Sequence, residues 1–143
     1  MDHVGVVVDD LAAARDFFLD IGLEVEGETH VSGGWVDEVV GLRGVHSELV
    51  MMRTPDRSAK LELTKFRSPS DDEGIQPSKA NRFGIRHIAF AVDELDDVLE
   101  RLHLRGFGTI GSVQNYENIY RLCYVSGPEG IIIELAEEQS AGR

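Results

Sequence analysis

The amino-acid sequence predicts an α+β fold built from two copies of one strand–helix–three-strand unit, βαβββ. Three observations predict it. The chain repeats itself: His3-Val-Gly-Val-Val-Val-Asp-Asp-Leu11 aligns with His87-Ile-Ala-Phe-Ala-Val-Asp-Glu-Leu95, and the same offset of 84 positions carries Gly22 to Gly106. Each copy then passes from a short β-branched run, through acids, into apolar residues at helical spacing. Finally, a stretch rich in proline, serine and acids separates the copies.

Val4 to Val8 is short, apolar and β-branched, which reads as a buried strand. Asp9 or Asp10 then caps a helix with acid in its first turn. Leu11, Ala14, Phe18 and Ile21 give that helix one apolar face, and Gly22 stands where a left-handed stop is wanted. Leu23 to Glu28 alternates as a strand does. Trp35 to Leu42 suits either a short helix or a strand, and it has no twin in the second copy, so it is expected to help shape a substrate pocket. Glu48 to Arg53 and Lys60 to Phe66 complete the first unit.

The second copy follows the same order. Ile88 to Val92 is its first strand, Asp93 its expected cap, and Leu95, Val98, Leu99 and Leu102 its helical stripe, closed by Gly106. Tyr120 to Val125 and Ile131 to Ala136 are strands joined by a turn over residues 126–130. The units are thus 1–66 and 82–143, joined by a linker at 67–81, and together they form one domain.

Composition sets outer limits. The 143 residues suffice for a real core, and their net charge of -12 argues against nucleic acid or an anionic membrane as partner. No apolar run nears the roughly 20 residues that span a bilayer, and no secretory leader is visible at the start. The single cysteine, Cys123, forms no intrachain disulfide, is expected to be a packing residue, and fits a reducing cytoplasm.

Four residues draw attention for chemistry. Strand periodicity puts His3, Gly5 and Val7 on one face and Val4, Val6 and Val8 on the other. In the second copy His87, Ala89 and Ala91 oppose Ile88, Phe90 and Val92. The histidine faces carry the smaller residues and leave room for an ion and a substrate. Each unit's last strand adds one carboxylate between aliphatics, Glu62 in Leu61-Glu-Leu63 and Glu134 in Ile133-Glu-Leu135. A buried unpaired carboxylate is costly, so each needs a cation, a metal or solvent. Taken singly, a strand histidine is more often structural and a strand glutamate more often solvated. One His on each first strand and one Glu on each last strand together favour a metal site. Two imidazoles and two carboxylates suit a divalent ion: Ni, Zn, Co, Mn or Fe. His30, His46 and His103 read as surface residues. Tyr116, Tyr120 and Trp35 read as packing residues first and substrate contacts second. Arg82 and Arg86, beside the second histidine strand, read as solvated or structural before anion-binding.

With these motifs in view, the chain resembles the vicinal oxygen chelate superfamily, which includes glyoxalase I, methylmalonyl-CoA epimerase, extradiol dioxygenases, and fosfomycin and bleomycin resistance proteins. The resemblance rests on His3 in HVGVVVDDL, Glu62 in KLELTKF, His87 in IRHIAFAVDEL and Glu134 in GPEGIIIELAEE. It implies two βαβββ modules forming a cupped mixed sheet around the metal, commonly in a homodimer. The order His, Glu, His, Glu is similar to glyoxalase I and implies metal-assisted proton transfer next to a carbonyl of a small-molecule substrate. In that reading Glu134 is the base and Glu62 the second candidate. The alternatives are a small-molecule binding protein of the bleomycin resistance type and an Fe(II) extradiol dioxygenase. Lys65 and Phe66 stand where glyoxalase I proteins often carry Asn, and Val7 stands where many carry a basic residue. Features that would recognise glutathione are therefore not evident.

Overall fold

A computed structural model describes residues 1–140. The chain divides into two compact units, residues 1–75 and 76–143. The first runs β1 (Val4–Val7), α1 (Leu11–Ile21), β2 (Glu24–Ser32), α2 (Gly34–Val40), β3 (His46–Arg53) and β4 (Lys60–Ser68). The second runs β5 (His87–Ala91), α3 (Leu95–Leu104), β6 (Gln114–Tyr116), β7 (Tyr120–Ser126), a 3-10 turn (Pro128–Gly130) and β8 (Ile132–Glu138). Each unit holds a four-stranded mixed sheet, in the orders β1-β4-β3-β2 and β5-β8-β7-β6. The first strand of each lies parallel to the last, and the other pairings are antiparallel. The α+β class and the two βαβββ modules are those the repeat predicts. Among the described residues, no helix is long and apolar enough to cross a membrane.

The helix of each unit covers one sheet face because its apolar positions recur on one side. In α1 the buried set is Ala14, Phe17, Phe18 and Ile21, with the rings of Phe17 and Phe18 meeting edge to face at 5.1 Å. Phe17 extends the expected stripe by one position. Beneath lie Val50, Met52, Leu61 and Leu63, all buried. In α3 Leu95, Val98 and Leu102 are buried against Val125, Ile133 and Leu135, while Leu99 is only half-buried.

The two helix starts differ. Asp10 is the N-cap of α1, and its carboxylate accepts from the Ala13 N–H at 3.0 Å. Gly22 closes that helix at φ 122, a conformation a β-carbon would strain. In α3 the expected cap does not form. Glu94, not Asp93, occupies the N-cap position and makes no side-chain bond. The free Leu95 N–H instead donates to Glu137 of β8 at 2.7 Å. Arg121 of β7 pairs with Asp96 at 2.9 Å, so two strand side chains fasten the first turn from outside.

Several strands outrun their sequence limits. β2 continues to Ser32 because Thr29 and Val31 stay in register with Leu49 and Ser47 of β3. β4 runs on through Arg67 and Ser68. Trp35 to Leu42 resolves mostly into α2, which keeps Val36 buried and leaves Trp35 and Val39 exposed.

Candidate functional site

The open sheet face of each unit carries the histidine and the glutamate. Along β1, Val4 and Val6 are half-buried while Gly5 and Val7 are exposed, and β5 repeats the alternation. Glu62 lies beside Gly5 in the β1–β4 register, and Glu134 beside Ala89 in the β5–β8 register. The smallest side chains thus neighbour the carboxylates. A β-carbon added at Gly5 would meet nothing within 4 Å, so this face has space above the strand.

In the first unit His3 Nε2 stands 3.5 Å from a Glu62 oxygen. Its Nδ1–H donates to Asp2 at 2.7 Å. The bond to Asp2, helped by the nearby Glu62 charge, holds the imidazole pKa above its ordinary value. Thr64 steadies the carboxylate by donating to the other Glu62 oxygen at 3.2 Å. In the second unit His87 Nε2 stands 4.0 Å from a Glu134 oxygen. Its Nδ1 hydrogen bonds with the Tyr124 hydroxyl at 3.3 Å, with the two rings tilted 38° and 5.0 Å apart. Tyr124 reaches it because it pairs with Glu134 across β7 and β8.

The units therefore present the same arrangement twice. One ring nitrogen is engaged by a neighbour, and the other turns toward a carboxylate. Where Nδ1–H donates, as from His3 to the Asp2 carboxylate, the Nε2 of a neutral ring carries the lone pair, which is how ligating histidines are commonly held; at His87 the Tyr124 hydroxyl is able to donate or accept. Each pair supplies one imidazole nitrogen and one carboxylate, donors that fit a divalent first-row ion. Within neither unit do three His, Cys, Asp or Glu side chains among the described residues gather closely enough to hold a metal, so each unit by itself brings together one His–Glu pair.

Asp2 and Tyr124 escape the sequence reading. Asp2 is visible only as the neighbour of His3, and Tyr124 only once the β7–β8 register is known. Tyr116 and Tyr120, read as packing residues first and substrate contacts second, lie exposed on the hairpin. His30, His46 and His103 are exposed, as expected. Cys123 is buried, and burial raises its thiol pKa, which fits packing. Lys65 alternates with Glu62 and Thr64 along β4, leaves on the other face, and donates to the Asp9 carbonyl at 2.5 Å. There it lines a cavity of about 740 Å³ whose charged groups pair with one another, Arg15 with Glu28 and Arg67 with Glu48.

Comparison with known proteins bears on the whole chain. Residues 1–135 match the family profile described as Glyoxalase/Bleomycin resistance protein/Dioxygenase superfamily. A glyoxalase family protein from Bacillus cereus is 41% identical and superposes with a TM-score of 0.94, covering 98% of this chain and 94% of that one. The Escherichia coli protein YaeR, itself uncharacterised, is 27% identical over 139 residues, 95% of this chain and 94% of its own. At the level of fold alone, a Glu-to-Gln variant of a fosfomycin resistance protein from Listeria monocytogenes is similar. That variant, crystallised with Mn(II) and 1S,2S-dihydroxypropylphosphonic acid, is 14% identical with a TM-score of 0.60, over 94% of this chain and 86% of that one. With a profile match along nearly its whole length and a relative of 41% identity, the chain belongs to the glyoxalase/bleomycin resistance protein/dioxygenase superfamily.

Proposed function

We propose that His3, Glu62, His87 and Glu134 hold one divalent metal ion, and that the protein is a glyoxalase I-like lyase or isomerase. The reaction is proton transfer next to a carbonyl of a small-molecule substrate, in a cytoplasmic homodimer. The observation that carries this reading is the twofold arrangement of an imidazole engaged at Nδ1 with its Nε2 toward a carboxylate. The Mn(II) held by the Listeria fosfomycin resistance protein, which shares the fold, supports the choice of ion class. When bound, the metal supplies a Lewis acid for oxygen atoms on which negative charge develops.

The chain's own residues divide the remaining work. Glu134 is the base. Among the described residues its side chain has no hydrogen bond, and its nearest ionic neighbour is His87 at 4.0 Å, so it can swing toward a substrate proton. Glu62 is held by Thr64 and is the second candidate, acting from the opposite side of the substrate. Asp2 and Tyr124 orient the two imidazoles. The exposed small residues Gly5, Ala89 and Ala91 leave the substrate room on the open faces.

Glu134→Gln tests the assignment. The amide keeps an oxygen donor, so the variant should retain its metal while proton exchange falls by about 10²–10⁴-fold, the usual worth of a general base. Metal-loaded protein assayed with hemithioacetals, 2-methyl-branched acyl-CoA thioesters and catechols would reveal the substrate class. Full turnover by Glu134→Gln would remove Glu134 from the mechanism, and oxygen-consuming catechol cleavage would replace the proposal with dioxygenase chemistry.

A further inference from the structure

We propose that a cavity in the second unit, at the start of β5, binds the oxyanion of a small acid, a carboxylate or a phosphate group, between the guanidinium groups of Arg86 and Arg82. The cavity measures about 350 Å³, suited to a small organic acid. It lies between the segment 76–86 and the turn that leads into β8. Its walls combine Pro77, Ile85 and Ile131 with Arg82, Arg86 and Glu129. Two guanidinium groups against one carboxylate leave a positive lining in a chain whose net charge is -12.

Arg86 carries the inference. Its Nε is buried without a hydrogen-bond partner, and among the described residues the side chain makes no ion pair. A guanidinium is permanently charged and presents five donors. Leaving such a donor desolvated is unfavourable, and a ligand oxygen in the cavity would satisfy it. The local backbone holds the group in place. Gly84 sits at φ 108, and a β-carbon there would stand 3.4 Å from an Nη of Arg86, so the guanidinium rests against bare backbone. Arg82 donates one Nη to the Pro77 carbonyl at 3.0 Å, which fixes it on the same wall and leaves its other donors for a ligand.

The site stands apart from the paired histidines and glutamates. Side chains alternate along an extended chain, so Arg86 and His87 leave on opposite sides. The inference therefore does not depend on the metal reading, and metal-free protein can test it.

The Arg86 Nε–H resonance, assigned by its loss in Arg86→Met, should be followed during titration with sodium phosphate and separately with sodium acetate. Ionic strength is held constant with chloride. We expect a saturable shift with at least one anion, and the arm that responds identifies phosphate or carboxylate as the ligand. Calorimetry of the responding anion should show about tenfold or greater weakening in Arg86→Met and a smaller loss in Arg82→Met. In the absence of either anion, Arg86→Met should melt at the same temperature or higher, because it removes an unsatisfied buried donor; a structural arginine would give the reverse. No saturable response to either anion, or undiminished binding by Arg86→Met, would overturn the proposal.

Discussion

Asp2 and Tyr124 serve equivalent histidines from unrelated positions in the chain. One is the residue before His3, and the other sits across two strands from His87. Strand alternation was enough to put His3 and His87 on the small-residue faces, because that face is set by a period of two. It was not enough to show what holds each ring. A chain neighbour and a cross-sheet tyrosine leave no common spacing to detect. Tyr124→Phe keeps the ring beside His87 and removes only the hydroxyl. On the proposed reading it should weaken metal binding by about 10–100-fold, the usual effect of losing a partner behind a ligating histidine. Competition against a chromophoric chelator measures this, and unchanged affinity would show that the hydroxyl does not orient the ligand.

The helices and turns show where local sequence decides and where tertiary contact overrides it. In α1 the cap, most of the apolar stripe and the terminal glycine lie in or directly beside the element, so the sequence reading and the structure agree on them, although the expected acid in the first turn is absent. In α3 the acids at its start suggest a self-contained cap, but the bond comes from Glu137 on β8. No local pattern announces a cap donated from a strand 42 residues away. The same reasoning explains β2, whose end depends on register with β3 and not on its own alternation. Asp10→Ala should therefore destabilise the protein by about 1 kcal/mol, as the loss of an N-cap does. Glu94→Ala should change little, because its side chain caps nothing. Urea denaturation of the two variants separates them, and equal losses would mean that the caps are misassigned.

At the scale of the molecule, the repeat at offset 84 encodes two modules with one architecture, since each must bury one sheet face beneath one helix. The modules differ where less of the chain is buried: α2, which buries only Val36, exists only in the first, and β6, exposed throughout, is three residues long against nine in β2. The repetition of the His–Glu pair extends from sequence into geometry, and the central claim is that both pairs serve one metal. Chelator-stripped protein should be titrated with Mn(II), Zn(II) and Ni(II), alongside His3→Ala and His87→Ala. The account predicts one ion per chain in the native protein, with binding lost or greatly weakened in both variants. Native-like affinity in either variant, or no stoichiometric uptake by the native chain, would contradict it.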